Sequence, residues 1–140
     1  MNPPPETGPV FADDRYCLCC GEKNPIGLKM KFRYDGSRLL SEAIVPKSFQ
    51  GFADVVHGGI LGTLLDEVMV NFHWLRGVRA VSVEFTVRLK APCPTGALVR
   101  LAAWEVESKR RLHHTASEAR LSDGTLVAEA TAKCLEVADA

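Results

Sequence analysis

The sequence has no apolar run approaching the roughly 20 residues that a bilayer-crossing helix needs. It has no excess of positive charge either, since 17 Lys and Arg stand against 17 Asp and Glu. Nucleic-acid binders generally carry a basic surplus that neutralises phosphates, so neither nucleic acid nor membrane is an expected partner. Zero net charge also leaves little repulsion between copies, which makes self-association easy. No internal repeat, low-complexity tract or interdomain linker interrupts the 140 residues, which are one domain's worth and enough to bury a core. Residues 1–16 begin Pro-rich and lack a basic segment followed by an apolar run, so they are expected to be a flexible lead-in and not a signal peptide. Residues 17–140 are expected to form the single domain.

Cysteine is too sparse and too crowded for a secreted disulfide framework. There are five, Cys17, Cys19, Cys20, Cys93 and Cys134, and three of them share one loop. An odd, clustered set points to a reducing compartment, and a cytoplasmic location is expected. Cys17 and Cys20 form a C-x-x-C pair followed by Gly21. A structural zinc site usually takes four ligands, often from two such pairs, and the second pair is missing. Nothing in the spacing demands that Cys134 or a histidine complete one. The pair therefore reads as a buried, reduced turn, with no metal expected.

The chain does carry clear periodicities. Residues 17–27 are rich in Gly, Asn, Pro and Cys and read as loop. In 28–34, Leu28, Met30, Phe32 and Tyr34 alternate with Lys29, Lys31 and Arg33, the pattern of a half-buried strand. Asp35-Gly36 signals a hairpin, and 39–45 returns as a second strand ended by Pro46. The stretch 60–76 has helical spacing: Leu61, Leu64, Leu65, Val68, Phe72 and Leu75 form a stripe that Ile60, Met69, Val70 and Trp74 widen. A helix apolar on most sides is buried, and Gly77 ends it. Strands follow over 81–89, 97–107, 112–121 and 126–137, separated by turns. In the first of these, Val81, Val83, Phe85, Val87 and Leu89 alternate with Ser82, Glu84, Thr86 and Arg88. Short connections favour antiparallel pairing. The expected class is α+β, a curved antiparallel sheet of about six strands wrapped around one long central helix.

Asp66 is out of place in this helix, flanked by Leu64, Leu65, Val68 and Met69. A buried carboxylate needs a partner or a purpose, and burial raises its pKa toward the range of a working base. The bland reading is that Asp66 faces solvent or pairs with a cation such as Arg88. Glu67 points about 100° away, so one acid is expected to be functional and the other structural. Gly58 and Gly59 open the helix, where free N–H groups and the absence of a side chain suit an oxyanion. His57 is expected to cap the helix or orient a loop. His73, His113 and His114 read as packing or surface residues. Gly58 and Asp66 lie about 12 Å apart along one helix axis. One carbonyl reaches both groups only across a twofold axis, from two chains.

The run His57-Gly58-Gly59-Ile60-Leu61-Gly62-Thr63-Leu64-Leu65-Asp66-Glu67 resembles the helix motif of hotdog-fold thioesterases of the phenylacetate-degradation type. The leader Cys17-Leu18-Cys19-Cys20-Gly21 with Asn24-Pro25-Ile26-Gly27-Leu28 is similar to that of a bacterial branch of the family. Val81-Ser82-Val83-Glu84-Phe85, with Ala91-Pro92 and Pro94-Thr95-Gly96 after it, resembles the family's third-strand region. The likeness runs over about residues 17–137. It implies a hotdog fold and a thioester hydrolase that releases free acid and coenzyme A from acyl-CoA. Asp66 would be general base or nucleophile, and the amides of Gly58 and Gly59 would polarise the carbonyl. Ser82 matches a position where relatives use a hydroxyl to hold the water. The family implies a homodimer, commonly paired into a tetramer, with no metal or cofactor. Many relatives place an asparagine six residues before the motif histidine. That position here is Gly51, and Gln50 beside it is the candidate substitute. Lys90, Arg110 and Arg111 are candidates for the coenzyme's phosphates. A non-catalytic acyl-thioester binding module on the same fold is the alternative, since fold does not fix function. A hydratase or dehydratase acting on acyl thioesters ranks below it.

Overall fold

The computed structural model describes residues 11–137. Residues 1–10 of the expected lead-in and the last three of the expected domain lie outside the described residues. Six strands and one long helix follow in the order β1 (Phe32–Asp35), β2 (Arg38–Ile44), α1 (Gly58–Trp74), β3 (Ala80–Leu89), β4 (Leu98–Lys109), β5 (Leu112–Leu121) and β6 (Leu126–Glu136). A short 3-10 turn, Lys47–Phe49, lies between β2 and α1. The strands form one antiparallel, curved sheet in the order β1-β2-β4-β5-β6-β3, with α1 packed on its concave face. This is the hotdog fold.

Helix and sheet meet through complementary side chains. Leu61, Leu64, Leu65, Val68, Met69 and Phe72 of α1 are buried. The strands answer with small residues, since Ala103, Ala119, Ala128, Ala130 and Ala132 are buried beneath the helix layer. Alanines let α1 approach closely, and the leucines fill the space left between them. Each fully buried Leu or Val contributes about 1.5–3 kcal/mol of hydrophobic free energy, so this stripe holds the helix in register on the sheet.

Two sequence expectations need correction. The first strand was expected over 28–34 but begins at Phe32. Lys29 has φ +58°, outside the extended region, and its Nζ bonds the carbonyls of Glu22 and Asn24 at 2.6 and 3.0 Å. The amides of Leu28 and Met30 go to Leu18 and Cys19 carbonyls in the leader loop, so that segment pairs with the loop instead of extending β1.

The second correction concerns β3. Ser82 pairs with Cys134 and Glu84 with Lys133, so Val83 is the extra residue of a β-bulge. Farther along, Phe85 pairs with Ala132. Cys134 and Ala132 are both buried, and residues directly opposite in an antiparallel pair share a face. The bulge thus puts Ser82 on the same face as Phe85, toward the helix, where strict alternation placed them on opposite faces. As the outermost strand, β3 also leaves apolar surface open: Val83, Phe85 and Leu89 are 57%, 45% and 59% exposed.

Candidate active site

Gly58, Gly62 and Asp66 recur every fourth residue and form the stripe of α1 that faces β3. A Cβ on Gly58 would stand 2.7 Å from Leu89 Cδ1, and one on Gly62 would stand 3.4 Å from Val87 Cγ2. The next position along the stripe is Asp66, beside Ser82. The absence of a side chain at Gly58 lets β3 close on the helix, Gly62 has room for a Cβ at ordinary contact, and the third position presents a carboxylate to the seam.

Asp66 is half-buried, and its Oδ1 has no hydrogen-bond partner among the described residues. Burial pushes its carboxyl above the ordinary aspartate range, and the Ser82 hydroxyl opposes that rise as the smaller effect. The neighbouring thiols of Cys19 and Cys134 are themselves held protonated, chiefly by burial and in part by the negative field of Asp66. No salt bridge holds Asp66 among the described residues; Arg88, the cation considered for it, pairs with Glu129 at 3.9 Å. Glu67 turns away and accepts from Asn71 Nδ2 at 2.9 Å and Cys17 Sγ at 3.5 Å. His73 does not bond Asp66. It is buried, with Nε2 2.7 Å from Thr115 Oγ1 and its ring against Phe72 and His113. Nothing in the sequence pattern singled out that Thr115 contact.

At the start of α1, His57 is the N-cap, and its Nδ1 accepts the Gly59 N–H at 2.9 Å. Its carbonyl takes the amides of Ile60 and Leu61. The Gly59 amide is therefore already engaged, while the Gly58 N–H has no partner among the described residues. Of the two glycines considered for an oxyanion hole, Gly58 has the available donor. Gly51 lies against this cap, and a Cβ there would sit 3.3 Å from His57 Cα. Gln50 accepts the Asp54 amide through Oε1 at 2.9 Å, so its oxygen fixes the loop. Phe49, Gln50, His57, Gly59, Ile60 and Thr63 line that cleft, about 360 Å³ in volume.

The proposed phosphate contacts are separated. Lys90 follows β3 directly, next to the Leu89 that packs on Gly58, and pairs with Glu129 at 3.6 Å. Arg110 and Arg111 form the tip of the β4–β5 hairpin, where the Arg111 carbonyl accepts the Glu136 amide. The register of β6 puts Glu136 opposite Ala80 and Ala128 opposite Leu89, so these arginines and Lys90 stand at opposite ends of the sheet.

The thioesterase superfamily profile matches residues 53–128, a span that includes α1, β3, Asp66 and Ser82. No curated protein matches the chain. Among solved structures, a phenylacetic acid degradation-related protein of Ralstonia eutropha JMP134 is 26% identical, with a TM-score of 0.70 over 77% of this chain and 85% of that one. The PaaI protein of the phenylacetic acid degradation operon of E. coli is 18% identical, with a TM-score of 0.74 over 80% and 82%. A hypothetical thioesterase of Streptococcus pneumoniae TIGR4, solved with coenzyme A, is 15% identical, with a TM-score of 0.72 over 79% and 87%. That protein has also been solved as two alanine variants, one of an aspartate and one of a threonine sixteen positions later. With more than half of its residues matched by the family profile, this chain belongs to the thioesterase superfamily.

Proposed function

We propose that the protein hydrolyses an acyl-CoA thioester to free acid and coenzyme A. The observation that carries this reading is the placement of Asp66 beside Ser82 at the seam between α1 and β3. A carboxylate that burial has made more basic, with one oxygen unpaired and a hydroxyl beside it, suits the activation of water. The spacing from Asp66 to Ser82 is sixteen residues, the same as between the aspartate and threonine replaced in the Streptococcus pneumoniae protein.

In the proposed reaction, Asp66 takes a proton from water that Ser82 orients, and the oxygen attacks the thioester carbonyl. The Gly58 N–H, at the positive end of the α1 dipole, stabilises the resulting oxyanion. Collapse of the intermediate breaks the C–S bond, and the thiolate leaves and is protonated to coenzyme A. Attack by the Asp66 carboxylate itself, followed by hydrolysis of an anhydride, gives the same products.

The site is proposed to form between two copies. Asp66 and Gly58 of one chain are too far apart for one carbonyl, by about 12 Å along the axis. The open edge of β3 and its exposed Val83, Phe85 and Leu89 support antiparallel pairing with a second copy. That arrangement would set Asp66 of one chain near Gly58 of the other, and would bring Lys90 of one chain to the same end as Arg110 and Arg111 of the other, where they would meet the phosphates. Pairing of dimers into tetramers follows the family pattern.

The test is release of free thiol from a panel of acyl-CoA esters, trapped with a chromogenic reagent, together with sedimentation of the same sample. Turnover by a dimer or tetramer supports the reading. Binding without turnover at every chain length leaves a binding module.

A further inference from the structure

The leader loop and the helix bring together three groups that the thioesterase reading does not use. Cys17 Sγ, Cys20 Sγ and a Glu67 carboxylate oxygen all lie within 4.8 Å of one another, and each residue is half-buried. The Cys17 thiol donates to Glu67 Oε1 at 3.5 Å. The Cys20 thiol interacts with both Glu67 and Cys17. Asn71 Nδ2 fixes the same Oε1 from one turn along the helix at 2.9 Å.

We propose that Cys17, Cys20 and Glu67 form a binding site for a thiophilic divalent cation of the zinc type. Ligand atoms at about 2.3 Å (sulfur) and about 2.1 Å (oxygen) from a tetrahedral metal lie roughly 3.6 Å apart. The Cys17–Glu67 separation of 3.5 Å already has that value. The turn carrying the cysteines is built tightly: the Gly21 amide bonds the Cys17 carbonyl at 2.9 Å and the Lys23 amide bonds the Arg15 carbonyl at 3.0 Å. A Cβ on Gly21 would fall 2.3 Å from the Cys17 nitrogen, so only glycine permits the fold of the turn that points both thiols at Glu67. Asn71 holds the carboxylate as outer-shell partners of metal ligands do.

Binding would replace the two thiol protons by the metal and release them to solvent. Water would fill the fourth position, since the three ligands are partly open. The metal would tie the leader to α1 one residue beyond Asp66. This inference is independent of the thioesterase reading.

The test uses the full chain, reduced, stripped with chelator and titrated with Co²⁺ and then Zn²⁺. The expected result is one Co²⁺ per chain with thiolate-to-cobalt charge-transfer bands, displacement by Zn²⁺, and a higher melting temperature with Zn²⁺. The double variant Cys17→Ser/Cys20→Ser should lose the bands, and Cys93→Ser should keep them. Glu67→Gln retains the size and hydrogen-bonding shape of the side chain and should weaken binding roughly tenfold or more. The proposal is overturned by substoichiometric uptake, by bands that persist in the double serine variant, or by affinity unchanged in Glu67→Gln. A Cys17–Cys20 disulfide in place of metal uptake by protein isolated without reductant also overturns it.

Discussion

Gly58 and Leu89 are in close contact: a Cβ on the glycine would lie 2.7 Å from Leu89 Cδ1, so that methyl group has to move before a side chain fits. This contact sets how near the end of β3 comes to the opening turn of α1. Gly58→Ala should therefore push Leu89 aside and destabilise the fold by on the order of 1 kcal/mol. Leu89→Ala in the Gly58→Ala background should recover part of that loss. Denaturant unfolding of the four proteins in this cycle measures the coupling; purely additive effects would mean that the contact is slack.

The helix cap gives a second expectation. His57 Nδ1 accepts the Gly59 N–H at 2.9 Å, so His57→Ala should cost about 1 kcal/mol of stability while His57→Asn recovers most of it. Equal stability of the alanine and asparagine variants would show that the imidazole acts in some other way.

His73 should make the fold sensitive to acid. Burial foremost, and then the charge of His113, hold its pKa down at about 4. Glu105 and Glu136 pull it back up, and Arg76 pushes it down. The folded protein thus keeps His73 neutral at pH values where the unfolded chain protonates it. The stability contributed by the neutral form is fully present above pH ~6.5 and is lost as pH falls toward ~4, by roughly 3 kcal/mol at most. His73→Gln should flatten the stability profile over that window. A profile with the same slope as the wild type would remove His73 as its source.

The hydroxyl beside the carboxylate provides a kinetic expectation. Ser82→Ala should lower kcat about tenfold with little change in KM, because in the proposed reaction the hydroxyl orients water more than it holds substrate. Ser82→Thr keeps the hydroxyl and should retain most activity. Steady-state rates of the three proteins decide this, and an alanine variant at full rate would leave Ser82 a packing residue.

Much of this was legible in the sequence, but not its decisive face. The apolar stripe of 60–76 showed the helix because 3.6-residue periodicity is local, and an acid at position 66 stood out against it. The inward turn of Ser82 was not legible. It follows from the bulge at Val83, which is defined only by the pairing of β3 with β6. Lys29 likewise ended a perfect alternation by adopting a positive φ to reach the carbonyls of Glu22 and Asn24. The meeting of Cys17 with Glu67 spans fifty residues and depends on how the leader folds onto α1. Engagement of the Gly59 amide by His57 needed a rotamer that residue types do not specify.

The most direct test is to replace one oxygen of the seam by nitrogen. Asp66→Asn should reduce acyl-CoA hydrolysis by about a hundredfold or more, while calorimetry finds acyl-CoA affinity and subunit assembly close to wild type. Hydrolysis at an undiminished rate in a folded Asp66→Asn protein would contradict the account.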